Sequence, residues 1–285
     1  MGYKHIPDYN PMAQRKKATS SRNGKLKKPM IKKTSDRKAI FIIGLISMLI
    51  VVSLHASGLI DRINSKYLKN NYVYHEKYGI KMPLSYQIHG IDISAHQGKI
   101  DWKKVNETNV EDIRIDFAFI KACEGRTRVD TRFKYNWEQA GKYNFIKGAY
   151  HYFLPNKSGE DQAKLFLKTV KLQEGDLVPV CDIEITGGAN RETIKKNLSE
   201  YLDILEERFD KKPIIYTGKK FFEKYLKDDF EDYPLWIAHY NVPELSIDDW
   251  SIWQHSESGT LPGCKRKVDF NVFRGNMDHL DKLRI

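Results

Sequence analysis

Cysteine is scarce in this sequence, with three residues among 285. Three cysteines are too few for a disulfide framework, and their positions lack the spacing of a metal site. Cys123 and Cys181 lie inside apolar runs, where a small buried hydrophobic residue is expected, whereas Cys264 lies in a Pro-Gly turn and is expected to be more exposed. The sequence also lacks an HExxH motif and a glycine-rich loop after a strand. We therefore expect no metal ion and no cofactor.

Excess charge is also missing from most of the chain. The net charge is +11, but residues 1–38 alone hold twelve Lys and Arg against Asp8 and Asp36. The remaining 247 residues carry 36 basic and 35 acidic side chains. A nucleic-acid-binding surface needs its positive charge on the folded domain. The sequence therefore predicts no nucleic-acid partner and assigns the basic character to an N-terminal tail.

One long apolar segment follows this tail. Residues 39–60, between Lys38 and Asp61, contain no charged side chain. As a helix, 22 residues at about 1.5 Å each can cross a hydrocarbon core of roughly 30 Å. The basic residues before it predict a cytoplasmic N-terminus. We therefore expect a single-pass protein of the cytoplasmic membrane, with residues 1–38 in the cytoplasm and everything after residue 60 outside it. Ala56-Ser57-Gly58 resembles a signal peptidase site, so cleavage is the alternative to a retained anchor.

The rest of the chain divides into a polar connection and one domain. Residues 61–85 are rich in Tyr, Lys and Asn and are interpreted as a stalk, and residues 86–285 as a folded domain expected to act as a monomer. Eight apolar runs in the domain predict strands: Ile88–Ser94, Phe117–Cys123, Phe145–Phe153, Leu177–Ile185, Pro213–Thr217, Leu235–Ala238, Ser251–Gln254 and Val268–Phe273. Amphipathic segments of helical length, Thr131–Lys142, Gly159–Val170 and Arg191–Phe209, lie between the early runs. This alternation predicts an α/β fold with a closed, parallel sheet, a barrel without its last helices.

Carboxylates cluster where these strands end. Because reacting groups in such barrels project from the carboxyl ends of strands, Asp92, Asp182, Glu184 and Asp269 are expected near one rim. Asp182 and Glu184 are two residues apart, so their Cα atoms are roughly 6.5–7 Å apart on one face of a strand. Two carboxylates that close raise the pKa of one of them, which allows it to hold a proton. Cleavage of a glycosidic bond needs such a pair, although a rim ion pair is the alternative interpretation.

Aromatic and amide side chains surround the same rim. Sugars present apolar ring faces edged by hydroxyls, so aromatic platforms beside polar side chains suit a glycan-binding groove. The candidates for substrate binding are Tyr150, Tyr152, Tyr216, Trp236, Tyr240 and Gln254.

Eight motifs in order carry a family resemblance. They are Gly90–Ser94, Phe119–Gly125, Gly148–Phe153, Asp182–Glu184, Tyr216–Thr217, Trp236–Tyr240, Trp253–Gln254 and Val268–Asn271. Together they resemble glycoside hydrolase family 25, the Chalaropsis-type lysozymes. The resemblance implies a (β/α)5(β)3 barrel and β-1,4-N-acetylmuramidase activity on peptidoglycan. It also implies Glu184 as the general acid, Asp182 as the group that stabilises the intermediate, and Asp92 and Asp269 as further acids of the pocket.

Two other functions remain open from the sequence. A non-catalytic peptidoglycan-binding module would keep the aromatic residues but lose a rim acid, and all four acids are present. A chitinase-like hydrolase also ends a strand in Asp-x-Glu, but its strand carries further Asp residues before the pair, which Leu177–Cys181 lacks. A lysozyme-type hydrolase is therefore the prediction from the sequence.

Overall fold

The computed structural model describes residues 71–110 and 113–285. The strands, numbered in chain order, are β1 (Tyr72–His75), β2 (Ile80–Pro83), β3 (Ile88–Ile93), β4 (Asn109–Val110), β5 (Ile113–Glu124), β6 (Arg128–Val129), β7 (Ile146–Tyr152), β8 (Val180–Asp182), β9 (Ile214–Gly218), β10 (Leu235–Ala238), β11 (Ile252–Gly259) and β12 (Val268–Phe273). The helices are Trp102–Asn106, Phe133–Lys142, Gly159–Thr169, Arg191–Phe209, Lys219–Phe221, Lys227–Phe230 and Met277–Asp281, with a 3₁₀ turn at Ala95–Gln97 and a π turn at Phe222–Leu226.

The predicted cytoplasmic tail, the membrane segment 39–60 and the first part of the stalk lie outside the described residues. Within 71–110 and 113–285, no helix is both long and apolar enough to cross a bilayer.

Eight strands close into a barrel, in the order β3-β5-β7-β8-β9-β10-β11-β12 and back to β3. Each of β3, β5, β7, β8 and β9 is followed by helical structure before the next barrel strand, whereas β10 and β11 are not, and β12 is followed only by the short helix Met277–Asp281. The eight-stranded α/β barrel expected from the sequence is thereby confirmed. The strand bounds of β10 and β12 and the helix Arg191–Phe209 coincide with the predicted segments.

The expectation of an all-parallel sheet is wrong for the last strand. β12 runs antiparallel to both of its neighbours, β11 and β3. The connection from β11 to β12 is too short for a crossover helix, and a short connection joins antiparallel strands only. The beginning of β12 therefore lies at the end of the barrel where the other seven strands finish.

Large aromatic side chains fill the inside of the barrel. Phe117 and Phe119 on β5 are fully buried there. The neighbouring strands make room for them with glycine, because a Cβ added to Gly90 would lie 2.2 Å from the Phe117 ring and one added to Gly148 would lie 2.4 Å from the Phe119 ring. The inside of the barrel around Phe117 and Phe119 is therefore a packed core rather than a channel. A ligand site is expected at the rim formed by the carboxyl ends of the strands.

A β-hairpin covers part of the outside of the barrel where helices are missing. β1 and β2, which fall in the predicted stalk, pair antiparallel, and Tyr78 and Met82 are fully buried. The Tyr78 ring packs on Phe270 of β12 with centroids 5.2 Å apart, and the Tyr78 hydroxyl donates to the Ile113 carbonyl at 3.0 Å. The amide of Thr260, just after β11, donates to the Tyr78 carbonyl at 2.7 Å. Residues 72–83 are therefore part of the folded domain.

Candidate active site

The four predicted acids come together at the rim. Asp92 is the penultimate residue of β3, Asp182 is the last residue of β8, and Asp269 is the second residue of the reversed strand β12. Asp92 and Asp269 are direct Cα partners in the sheet. Glu184 follows two residues after the end of β8 and is exposed, whereas Asp92 and Asp182 are only 7% and 5% exposed. The rim therefore carries a pocket of buried carboxyl groups with one accessible glutamate.

Strand β8 is shorter than the predicted run 177–185 because Pro179 has no amide to donate to the sheet. The chain nevertheless stays bonded beyond the strand, since the Ile183 amide donates to the Tyr216 carbonyl at 2.9 Å and the Phe153 amide donates to the Asp182 carbonyl at 2.7 Å. These bonds hold the backbone between Asp182 and Glu184 against both neighbouring strands.

Asp182 and Glu184 interact directly with each other. Burial raises the pKa of Asp182 well above its usual value, and the charge of Glu184 raises it further. Burial also raises the pKa of Glu184, while a hydrogen bond with Asp182 and the charge of Lys121 oppose this rise. The pair therefore binds one proton more tightly than two separate carboxyl groups would. This proton favours Asp182, which is the more deeply buried of the two. The Oδ1 atom of Asp182 is buried and accepts no hydrogen bond from the described residues.

Asp92 is held by two amide donors. Gln254 donates through Nε2 and Asn271 donates through Nδ2 to the same oxygen, Oδ2, both at 2.8 Å. Burial raises the pKa of Asp92, and these two hydrogen bonds lower it. The pKa of Asp269 is raised further, by burial and by the charge of Asp92.

A second layer of donors orients these amides. The Tyr216 hydroxyl donates to Gln254 Oε1 at 2.8 Å, and the Tyr240 hydroxyl donates to the same atom. The indole N–H of Trp236 donates to Asn271 Oδ1 at 2.8 Å. Gln254, Tyr216, Trp236 and Tyr240 were predicted to bind substrate, and the structure brings all four into this network.

Two predicted aromatic platforms lie too deep to present a ring to solvent. Trp236 is 2% exposed and stacks on Phe119 with centroids 4.6 Å apart, and Tyr216 is 7% exposed. Tyr150, Tyr152 and Tyr240 are half-buried, so their exposed parts face the pocket mouth or its wall. The charges of Asp92 and Asp182 add to burial in raising the pKa of Tyr150, which places its hydroxyl beside these carboxyls.

Lys121 is a functional candidate that the sequence analysis did not select. It lies two residues beyond Phe119 on β5, its ammonium is 2.8 Å from Glu124, and it lies 4.7 Å from the centre of the Tyr152 ring. Its positive charge lowers the pKa of both Asp182 and Glu184. A lysine inside the apolar run 117–123 was the available signal, since a strand that faces a barrel core otherwise excludes charge. Asn271 was missed as well, although it lies in a quoted motif.

Metal binding has no support in the described part of the chain. No group of three or more His, Cys, Asp or Glu side chains in residues 71–110 and 113–285 has an arrangement that could hold a metal ion. Cys123 and Cys181 are fully buried, as expected, and Cys264 is partly exposed.

The barrel and its carboxyl pocket match a known family. The family described as Glycosyl hydrolases family 25 matches residues 91–264, which include Asp92, Asp182 and Glu184. The match covers more than half of the chain, and the chain therefore belongs to this family. Asp269 and Asn271, on the antiparallel strand β12, lie just beyond the matched range.

Individual relatives agree with this assignment. The protein YegX of Escherichia coli is 42% identical over 207 residues, which are 72% of this chain and 76% of YegX. Lysozyme M1 of Streptomyces globisporus is 29% identical over 68% of this chain and 70% of its own length. A solved family 25 glycosyl hydrolase from Bacillus anthracis superposes with a TM-score of 0.64 at 35% identity, covering 70% of this chain and 95% of that one.

Proposed function

We propose that this chain is a lysozyme of the Chalaropsis type, a β-1,4-N-acetylmuramidase. It hydrolyses the bond between N-acetylmuramic acid and N-acetylglucosamine in peptidoglycan. Membership of the glycosyl hydrolase family supports the reaction class, and the likeness to lysozyme M1 supports the substrate. The observation that carries the proposal is a hydrogen-bonded carboxyl pair at the rim of the barrel, in which Glu184 is exposed and Asp182 is buried.

Glu184 is the proposed general acid because it is the carboxyl of the pair that a glycan lying across the rim can reach. It donates its proton to the glycosidic oxygen as the bond from that oxygen to the anomeric carbon breaks. The carbonyl oxygen of the 2-acetamido group then bonds to the anomeric carbon and forms an oxazolinium ion. Water attacks this ion while Glu184 takes back a proton. This substrate-assisted route predicts retention at the anomeric carbon, whereas direct attack by water predicts inversion.

Substrate binding supplies the reason for the proton to move from Asp182 to Glu184. A glycan that covers Glu184 removes its water and raises its pKa. The amide N–H of the acetamido group is a donor for Asp182 Oδ1, which accepts no hydrogen bond from the described residues. A hydrogen bond to the charged form of Asp182 lowers its pKa. In the complex, Glu184 therefore carries the proton, and Asp182 carries the charge that stabilises the oxazolinium ion.

The test is mass spectrometry of purified peptidoglycan after incubation with the full-length chain. Muropeptides that end in reducing N-acetylmuramic acid are the expected products, and the anomer released first, followed by proton NMR, separates retention from inversion. Reducing N-acetylglucosamine ends, or cleavage of chitin in place of peptidoglycan, would support the chitinase-like alternative. Tight binding to peptidoglycan with no product would support the non-catalytic binding module.

The same proposal includes a membrane tether. The charge-free segment 39–60 after a basic tail favours an uncleaved anchor with the barrel outside the cytoplasm, where peptidoglycan lies. We expect the chain to stay with membranes after a carbonate wash and an external protease to digest the barrel in spheroplasts. Recovery of a soluble chain that begins near Ser57 would instead show that the segment is a cleaved signal.

A further inference from the structure

The hydrogen bonds that lead from Trp236 through Asn271 to Asp92 have only one chemically consistent direction. The indole N–H of Trp236 can donate but cannot accept, so the Asn271 atom that faces it at 2.8 Å is the carbonyl oxygen. The amide nitrogen of Asn271 must then face Asp92, to which it donates at 2.8 Å. An amide nitrogen donates only, and the Asp92 oxygen that meets it must accept.

Gln254 repeats this arrangement from the neighbouring strand. In the structure its oxygen accepts from the hydroxyls of Tyr216 and Tyr240, and its nitrogen donates to Asp92 at 2.8 Å. Phenol hydroxyls can also accept, so it is the donor-only indole of Trp236, acting through Asn271, that fixes the hydrogen-bond direction at Asp92. Both amides therefore converge on one oxygen of a carboxyl group that is 7% exposed. Two donors on a single buried oxygen favour the carboxylate, since a charge-assisted hydrogen bond is about twice as strong as a neutral one.

Asp92 also forms a hydrogen bond with another carboxyl group, that of Asp269. Asp92 and Asp269 are Cα partners on antiparallel strands, and their side chains hydrogen bond to each other. A hydrogen bond between two carboxyls requires one proton between them. Asp92 already receives two amide donors, whereas Asp269 accepts no hydrogen bond from any side chain of the described residues other than Asp92. The proton therefore belongs on Asp269.

We propose that Trp236, Asn271 and Gln254 are positioning residues that fix one negative charge on Asp92 and leave Asp269 as a neutral, hydrogen-bond-donating acid. Asp92 is then the charged member of this pair at neutral pH, and its attraction for positive charge at the anomeric carbon stabilises the transition state. This last consequence rests on the proposed function, whereas the placement of the charge does not. The family resemblance assigned Asp92 and Asp269 the same role, as further acids of the pocket, and the network distinguishes these two.

The described titratable groups around Asp92 and Asp269 supply no positive charge that could stabilise an anion on Asp92. They are Tyr150 on β7, Asp182 and Glu184 at and after β8, Tyr216 on β9, Tyr240 after β10 and Glu257 on β11. All of them are acids or phenols, and the charge of Lys121 acts on Asp182 and Glu184. The amide donors lower the pKa of Asp92, and the charge of Asp92 raises that of Asp269. With no cation among these neighbours, the amides are the groups that stabilise the charge.

The test is an NMR titration of the side-chain carboxyl carbons in the full-length chain labelled with ¹³C-aspartate. Asp92→Asn and Asp269→Asn assign the two signals. At neutral pH we expect Asp92 to resonate as a carboxylate and Asp269 as a carboxylic acid. In Asn271→Leu, loss of one charge-assisted bond should raise the pKa of Asp92 by about one to two pH units. Trp236→Phe keeps an aromatic ring against Phe119 while removing the N–H donor, and should shift the titration in the same direction.

The chain contains a matched control for these substitutions. The Trp102 indole N–H donates to Asn136 Oδ1 at 3.2 Å, and both residues are buried outside the carboxyl pocket. Trp102→Phe removes the same kind of bond and should lower the melting temperature without moving the Asp92 titration. On peptidoglycan, Asn271→Leu should lower kcat about tenfold to hundredfold with little change in KM.

Each result has a distinct meaning. A charged Asp269 beside a protonated Asp92, or an Asp92 titration that Asn271→Leu leaves in place, would overturn the proposal. The expected titrations in a protein that cleaves no peptidoglycan would support the charge placement and reject the muramidase function. The expected titrations with an unaltered kcat in Asn271→Leu would overturn the catalytic consequence alone.

Discussion

Replacing Glu184 with Gln should lower kcat on peptidoglycan by roughly 10²- to 10⁴-fold, the range that a positioned general acid contributes. The amide keeps the shape of the side chain but has no proton to give to the leaving oxygen. Because Glu184 is exposed at the rim, the substitution should change neither KM nor the melting temperature much. Release of soluble muropeptides, measured by initial rates, is the assay. Glu207→Gln, an exposed glutamate on the helix Arg191–Phe209, is the matched control and should retain full activity.

The roles of Glu184 and Asp182 can be separated by the leaving group. In an aryl glycoside of the same glycan, the aryloxide leaving group departs without being protonated. This substrate should therefore restore much of the rate lost in Glu184→Gln. It should not rescue Asp182→Asn, because stabilising the oxazolinium ion is needed with any leaving group. In the wild type, activity should fall as pH rises through the elevated pKa values of the pair and the proton is lost. Rescue of Asp182→Asn but not of Glu184→Gln would exchange the two roles.

Removing residues 1–83, and with them the β1–β2 hairpin, should destabilise the barrel severely. Burial of Tyr78 and Met82 contributes roughly 2–3 kcal/mol each, and their loss also exposes Phe270 of β12. A loss of about 5 kcal/mol compares with a total stability of about 5–15 kcal/mol for typical domains. We expect the melting temperature to fall by roughly 10–20 °C relative to a chain that begins at Ser57, if the shortened chain folds at all.

Point substitutions keep this prediction testable when the shortened chain does not fold. Tyr78→Ala should reproduce a large part of the destabilisation in denaturant unfolding, whereas Tyr78→Phe should cost only about 1 kcal/mol for the bond to Ile113. Tyr74→Ala is the control, because Tyr74 lies on the same hairpin and is 57% exposed. Equal stability of the chains beginning at residues 57 and 84 would show that the hairpin is an appendage.

The hairpin also illustrates what sequence analysis misses. Residues 72–83 are mixed in polarity and surrounded by Tyr, Lys and Asn, which is typical of an exposed connection. Their burial depends on contacts with distant elements, since Tyr78 packs on Phe270 of β12 and hydrogen bonds with Ile113 and Thr260. Local composition cannot reveal these contacts, because Phe270 lies on a strand far along the chain from Tyr78.

The sequence by itself determined the eight barrel strands, the three longest helices and the acids. A continuous apolar run defines β10, and alternating apolar residues define β12. Leu198, Leu202 and Leu205 define the buried side of the longest helix, because burial requires these local periodicities. Asp92, Asp182 and Glu184 could be located because barrel chemistry follows strand ends. None of these inferences needs knowledge of which strands are neighbours.

Only the tertiary structure decided how the acids differ. Asn271 meets Asp92 across a separation of 179 residues because the reversed strand β12 closes the barrel between β11 and β3. The same closure brings Gln254 to Asp92 and pairs Asp92 with Asp269. Charge and protonation depend on burial and on donors a few ångströms away, and these are set by the closed sheet. The sequence names the carboxyl groups, and the packing around them determines which ones hold a proton.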